Sequence, residues 1–217
     1  MRVIRYVAMS LVLVACKSES PIPDDIAEQV PSDAVHSTLS DFEKDVRAPS
    51  ASKSSAIQAL LHRCVAAAGI LIKRNHESGT AISSRYFKSL NQDIATVRDG
   101  LQAADRIEAQ TLVNIGTVNL EIKATHATHR RNWAELVRVR VHTRRGRMPV
   151  RGLSVLYCQR GGGRVHFYWR SFFTKSTPAV DDIPPGIYDV AVENEPSIVI
   201  TIGAEGQNEQ SFIMQVH

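Results

Sequence analysis

The chain has 217 residues, 26 Lys and Arg against 22 Asp and Glu for a formal charge of +4, and 43% hydrophobic residues. That balance excludes a disordered or collagen-like chain and suits one sizeable domain or two small ones. The charge is segregated. Residues 17–50 hold eight acids and three bases, residues 123–175 hold thirteen bases and the single acid Glu135, and residues 176–217 hold seven acids and no base. A basic block beside an acidic one is either a binding face or two sets of strands that neutralise each other.

Arg2 and Arg5 make a positive start, and Tyr6 to Val14 is a short uncharged, mostly apolar run. A basic region, an apolar region and a small residue before the cut form a secretory signal. The run is far below the ~20 residues that cross a bilayer as a helix. It ends in Leu13-Val14-Ala15-Cys16, which resembles the lipobox of bacterial lipoproteins. The resemblance implies that residues 1–15 are removed as a signal peptide and that Cys16 is lipidated. Lys17 follows where an Asp would resemble an inner-membrane retention signal, so the implied address is the outer membrane, facing the periplasm.

With Cys16 lipidated, Cys64 and Cys158 remain. In an oxidising envelope they read as one disulfide, closing a loop of roughly 94 residues, or as two buried thiols.

Residues 16–52 read as an acidic flexible tether, interrupted by Pro21, Pro23, Pro31 and Pro49. Within it, Asp25 to Glu28 and Ser40 to Glu43 have the residues of capping boxes. A helix starts at Ser54 or Ser55. Ile57, Leu60, Leu61, Cys64, Val65, Ala68, Leu71 and Ile72 form its wide apolar stripe. A second runs from about Ser83 to Gln110 with Phe87, Leu90, Ile94, Val97, Leu101 and Ala104. Residues 53–112 are therefore expected to be an antiparallel helical hairpin. The first helix is apolar over more than one partner covers, so it should also pack on the C-terminal domain or on a second copy of itself.

After Thr111 the period becomes two. Val118, Leu120 and Ile122 alternate with polar residues, and Val137, Val139 and Val141 alternate with Arg138, Arg140 and His142. Further strands are expected over Gly152 to Cys158, Val165 to Phe173, Ile187 to Glu193, Ser197 to Ile202 and Gln210 to Val216, separated by Gly- and Pro-rich turns. The expected fold is α+β: the hairpin, then a seven-stranded antiparallel β-sandwich over residues 113–217.

The order of a basic strand, Gly146, Pro149-Val150-Arg151-Gly152, the next strand and then Ile183-Pro184-Pro185-Gly186-Ile187-Tyr188 resembles the transthyretin-like or carboxypeptidase-regulatory-like sandwich. Immunoglobulin-like sandwiches are the alternative. The resemblance covers residues 135–217 and departs from the family at Gly161-Gly162-Gly163 and in the long basic run. It implies a non-catalytic accessory or binding module and carries over no catalytic residue.

His126 and His129 lie three apart, but a closed metal site needs two more ligands, and Arg130 and Arg131 repel a cation; a polar loop is the expectation, with no metal and no cofactor. Arg160 and Arg164 flank three glycines whose bare amides suit either a phosphate or a plain hairpin turn. Arg144, Arg145, Arg147 and Arg151 form a second basic turn. His166, Tyr168 and Arg170 alternate with Val165, Phe167 and Trp169, a pattern for stacking on a sugar or protein or for a strand buried on both sides. No nucleophile motif is present.

The expectation is a lipid-anchored envelope module that binds or scaffolds rather than catalyses. It docks an envelope protein or an anionic glycolipid, not nucleic acid, through Arg138, Arg140, Arg144, Arg145, Arg147, Arg160 and Arg164. The alternative is a periplasmic inhibitor or immunity-type lipoprotein blocking one toxin or enzyme.

Overall fold

The computed structural model describes residues 28–47, 54–161 and 169–217. The leader, Cys16, the Asp25 to Glu28 capping box, Gly162 to Arg164 and the alternation from Val165 to Tyr168 lie wholly or partly outside the described residues. The fold is α+β, with, among the described residues, four helices, ten strands in three sheets and no closed barrel.

The acidic segment is not tether throughout. Gln29–Val30 is a short strand, β1, and Ser32–Arg47 is a 16-residue helix, α1. The N–H groups of Ala34 and Val35 bond to the Pro31 carbonyl at its start. Asp33 lies in the first turn and Lys44 and Arg47 in the last, each complementing the helix dipole. Val35, Leu39, Phe42 and Val46 recur every three to four residues and are all buried. Their stripe packs on the next helix, α2 (Ser55–Ser78). The exposed Asp, Glu and Ser of this segment are the polar face of an amphipathic helix.

α2 begins with Ser54 accepting from the Ile57 N–H at 3.5 Å and ends at Gly79, whose φ of 57° is the left-handed cap that glycine adopts freely. The strand β2 (Ile82–Ser83) pairs with β1, and Ser83 caps α3 (Ser84–Gln102). The expected second helix is then divided. The Asp105 side chain accepts from the Glu108 N–H at 2.8 Å and opens α4, Arg106–His129. The helices lie in the order α1, α2, α4, α3, so the hairpin expected over 53–112 is three helices of a four-helix layer. α2 alone among the described residues is long and apolar enough to cross a membrane. Its wide stripe is covered by α1 and α4 rather than by the C-terminal part.

The run Val118, Leu120 and Ile122 is helical, not a strand. α4 meets α2, α3 and the sheets together, so Ala109, Val113, Leu120, Ile122 and Ala127 are buried around much of its circumference. A helix apolar on several faces loses the 3.6-residue signal. Two glycines bring it close to α3. A Cβ on Gly116 would lie 2.6 Å from Val97 Cγ2, and one on Gly100 would lie 2.8 Å from Val113 Cγ2.

The strand-bearing part starts at residue 137, not 113, and holds eight strands among the described residues. They are β3 (Val137–Arg145), β4 (Met148–Val150), β5 (Ser154–Gln159), β6 (Arg170–Ser176), β7 (Ala179–Ile183), β8 (Gly186–Val192), β9 (Ile198–Ile202) and β10 (Glu209–Gln215). One four-stranded sheet has β3 at its centre, paired with β10 on one side and with β4 and β7 on the other. The second runs β6, β5, β8, β9. The β3–β10 pair is parallel, which departs from the expected all-antiparallel arrangement. β7 carries two adjacent aspartates and β4 is only three residues long, so neither gave an alternating run.

Val137, Val139 and Val141 of β3 point inward against Val155 and Tyr157 of β5 and Tyr188, Val190 and Val192 of β8, forming one core between the sheets. The helices bury a second core from Val35 to Ala134.

Cys64 and Cys158 are free, separately buried thiols, so they do not form the disulfide. Cys64 lies in the helical core beside Thr117, where burial pushes its thiol up to about 12. Cys158 belongs to β5 and donates to the Gln159 carbonyl at 3.7 Å.

Candidate cationic site on the outer sheet face

The period of two in β3 puts Val137, Val139 and Val141 in the core and Arg138, Arg140, His142 and Arg144 on the opposite face. The pairing registers decide which of these cations are free. Arg138 faces Asp182 of β7 and Glu209 of β10. It grips Asp182 with two bonds of 2.9 Å, which lowers the Asp182 carboxyl below the ordinary range. Arg140 Nε donates to Glu209 at 2.6 Å. Arg145 donates to the C-terminal His217 carbonyl oxygen at 3.0 Å. Arg160, on the second sheet, holds Asp189 at 3.0 and 3.1 Å.

Four of the seven arginines expected to bind a partner are therefore engaged within the chain. Arg164 lies outside the described residues. Arg144 and Arg147 are exposed and their side chains make no ion pair among the described residues. Arg151, from the same basic turn, is exposed and unpaired in the same sense.

Arg144 and Arg151 border a cleft of about 390 Å³, together with His142, Pro149, Val150, Pro178, Ser211 and Ile213. The registers explain its shape. Ile213 lies beside His142 across the β3–β10 pair, and Pro149 lies beside Arg144 across the β3–β4 pair. The floor is apolar and the rim cationic. Guanidiniums at such a rim bind carboxylate or phosphate bidentately, while the floor takes an apolar group attached to it.

A second polar constellation lies at the junction of helices and sheets and was not legible as one in the sequence. Lys123 of α4 and Asp93 of α3 are both fully buried and paired at 2.5 Å. Lys123 also donates to the Pro185 carbonyl at 2.8 Å, in the turn before β8. Gln159 of β5 donates to the other Asp93 oxygen at 2.7 Å and accepts from Ser89 at 2.9 Å. Burial pushes the Asp93 carboxyl up, opposed chiefly by the Lys123 ammonium. Asn119 accepts from the Ile187 N–H and donates to the Arg160 carbonyl, each at 2.9 Å. At the other end of α3, Arg85 grips Asp181 of β7 at 2.9 and 3.0 Å and donates to the Tyr157 hydroxyl of β5. One guanidinium thus ties α3 to both sheets. The hint in the sequence was Asn119, Lys123 and His126, polar residues at four- and three-residue spacing, which puts them on one face of a helix. With both charges sealed from solvent, this cluster joins parts of the fold and offers no surface to a ligand.

His126 and His129 sit on the last turn of α4, not in a loop. His126 is fully buried, neither ring nitrogen has a full hydrogen bond among the described residues, and burial lowers it to about 4. His129 is exposed and its Nδ1 lies 2.8 Å from the Thr125 carbonyl.

No protein-family model, curated protein or solved structure matches this chain.

Proposed function

We propose that this chain is a lipid-anchored cell-envelope module that binds an anionic partner without catalysing a reaction. The observation that carries the reading is the cleft beside β3, where Arg144 and Arg151 form a cationic rim over Ile213, Pro149 and Pro178, with Arg147 close by in the same turn. Acids elsewhere in the chain pair with Arg138, Arg140 and Arg160 and, among the described residues, leave these three positive charges unmatched. The anchor rests on the lipobox-like Leu13-Val14-Ala15-Cys16, and the outer membrane on Lys17. The reading of residues 137–217 as a transthyretin-like accessory sandwich is supported by two four-stranded sheets that share a core. It is supported further by the Pro184-Pro185-Gly186 turn that opens β8, with the Tyr188 hydroxyl donating back to the Pro184 carbonyl at 2.8 Å.

The test is capture of partners from detergent-solubilised envelopes by the wild type and by R144E/R147E/R151E. Exposed charges attract over about 10 Å at 0.1 M salt and about 3 Å at 1 M. The expected result is an anionic partner, envelope protein or glycolipid, that is lost at high salt and lost with the triple reversal. A single stoichiometric protein retained at high salt and by the triple variant overturns the cationic docking site and favours the inhibitor reading. In parallel, Cys16→Ala is expected to move the protein out of the membrane fraction; retention there overturns the lipid anchor.

A further inference from the structure

The two sheets end in edge strands that differ in one respect. β4 contains Pro149, and β7 beside it contains Asp181 and Asp182. β6 contains Arg170 and Lys175, and β10 contains Glu209. Charges and prolines on an edge discourage a further strand from adding. β9 reads Ile198-Val199-Ile200-Thr201-Ile202, with neither. It runs in unbroken register along β8 and, among the described residues, pairs with β8 alone. Ile198 and Val199 are 40% and 50% exposed. The strand therefore presents an apolar, uncharged edge with one row of backbone N–H and C=O groups free to bond another strand.

The charges at its two ends select the occupant. The turn Glu193-Asn194-Glu195 stands before its first residue, and its two carboxylates outnumber Arg145, which reaches this end by donating to the His217 carbonyl while the His217 N–H donates to Glu195. After its last, the loop from Gly203 to Gly206 rests on the final turn of α4, with Gly203 against His126 and Gly206 against His129. That contact brings Arg130 and Arg131, which follow His129, to the C-terminal end. Glu205 in the same loop accepts from the Gln207 side chain at 2.9 Å and leaves that end net positive. β9 is thus acidic at its start and basic at its finish. An antiparallel strand with the same two ends sets each acidic turn beside a basic helix end, whereas a parallel one sets like charges together. A second copy of this chain has those ends.

We infer that β9 is the seam of a two-fold dimer in which it pairs antiparallel with β9 of a second copy about Ile200, joining two four-stranded sheets into one of eight strands. In this register Val199 of each copy faces Thr201 of the other, both on the exposed side of the sheet. The pairing is isologous, as a closed dimer requires.

The test is sedimentation of the full chain in density-matched detergent, alongside V199K/T201K and V199K/T201E. The wild type is expected at twice the mass of one mature chain. The double lysine variant is expected at half that mass, because four positive charges meet at the seam, and with the melting temperature that the wild type shows when diluted to monomer, because both side chains are exposed. The lysine–glutamate variant is expected to dimerise again, since each introduced lysine faces an introduced glutamate. A monomeric wild type at the highest soluble concentration overturns the inference. So does a dimer that survives V199K/T201K.

Discussion

Lys123 is a fully buried charged side chain of α4, and its removal leaves Asp93 buried without its cation. Uncompensated buried charge is costlier than the absence of the pair. Lys123→Met is therefore expected to cost about 3–5 kcal/mol in urea unfolding, and Asp93→Leu/Lys123→Met to recover most of it. Equal losses in the single and double variants would reject this account. His126 governs a second effect at the same scale. Burial and the nearby Arg130 hold its folded value near 4, below the usual 6.5. The unfolded chain takes up this proton below about pH 6.5, while the folded chain resists it until about pH 4. Stability is thus full above the unfolded value, falls as the pH drops through the window, and is level below it. The loss is of order 2–3 kcal/mol. Urea midpoints measured from about pH 7 down to about pH 4.5 are expected to fall less steeply for His126→Leu than for the wild type.

Among the elements, α1 most changes the picture drawn from composition. Phe42 is fully buried in it and packs toward α2. Phe42→Ala is expected to lower stability by about 3–5 kcal/mol, whereas the same change in a flexible tether would leave the urea midpoint unmoved. The signal was present in the spacing of Val35, Leu39, Phe42 and Val46, but the surrounding Ser, Asp and Glu masked it. α2 and β3 were legible because each has one buried face and one wet face, which imprints the period of its geometry on the residues. α4 was misread for the opposite reason. It has neighbours on several sides, and Val118, Leu120 and Ile122 in succession resemble the alternation of a strand. The missing side chains of Gly100 and Gly116 are what let α3 and α4 approach.

For the whole molecule, the segregation of charge has two outcomes at once. The acidic C-terminal block neutralises Arg138, Arg140 and Arg160, through pairs that are largely exposed and so add little stability each. It leaves Arg144, Arg147 and Arg151 uncovered, which is why the candidate site is smaller than the basic run and includes the apolar floor of Ile213, Pro149 and Pro178. The helices and sheets are tied together through Lys123, Asn119 and Arg85, so the two cores are held in one arrangement. The sequence by itself determined the α+β class, the stripe of α2, the inward valines of β3 and the places of most later turns, because each follows from a local period or a turn residue. Only the tertiary structure decided the number and order of helices, the unpaired thiols, the buried polar junction and which arginines are free. Those depend on contacts between residues tens of positions apart, which no local period records.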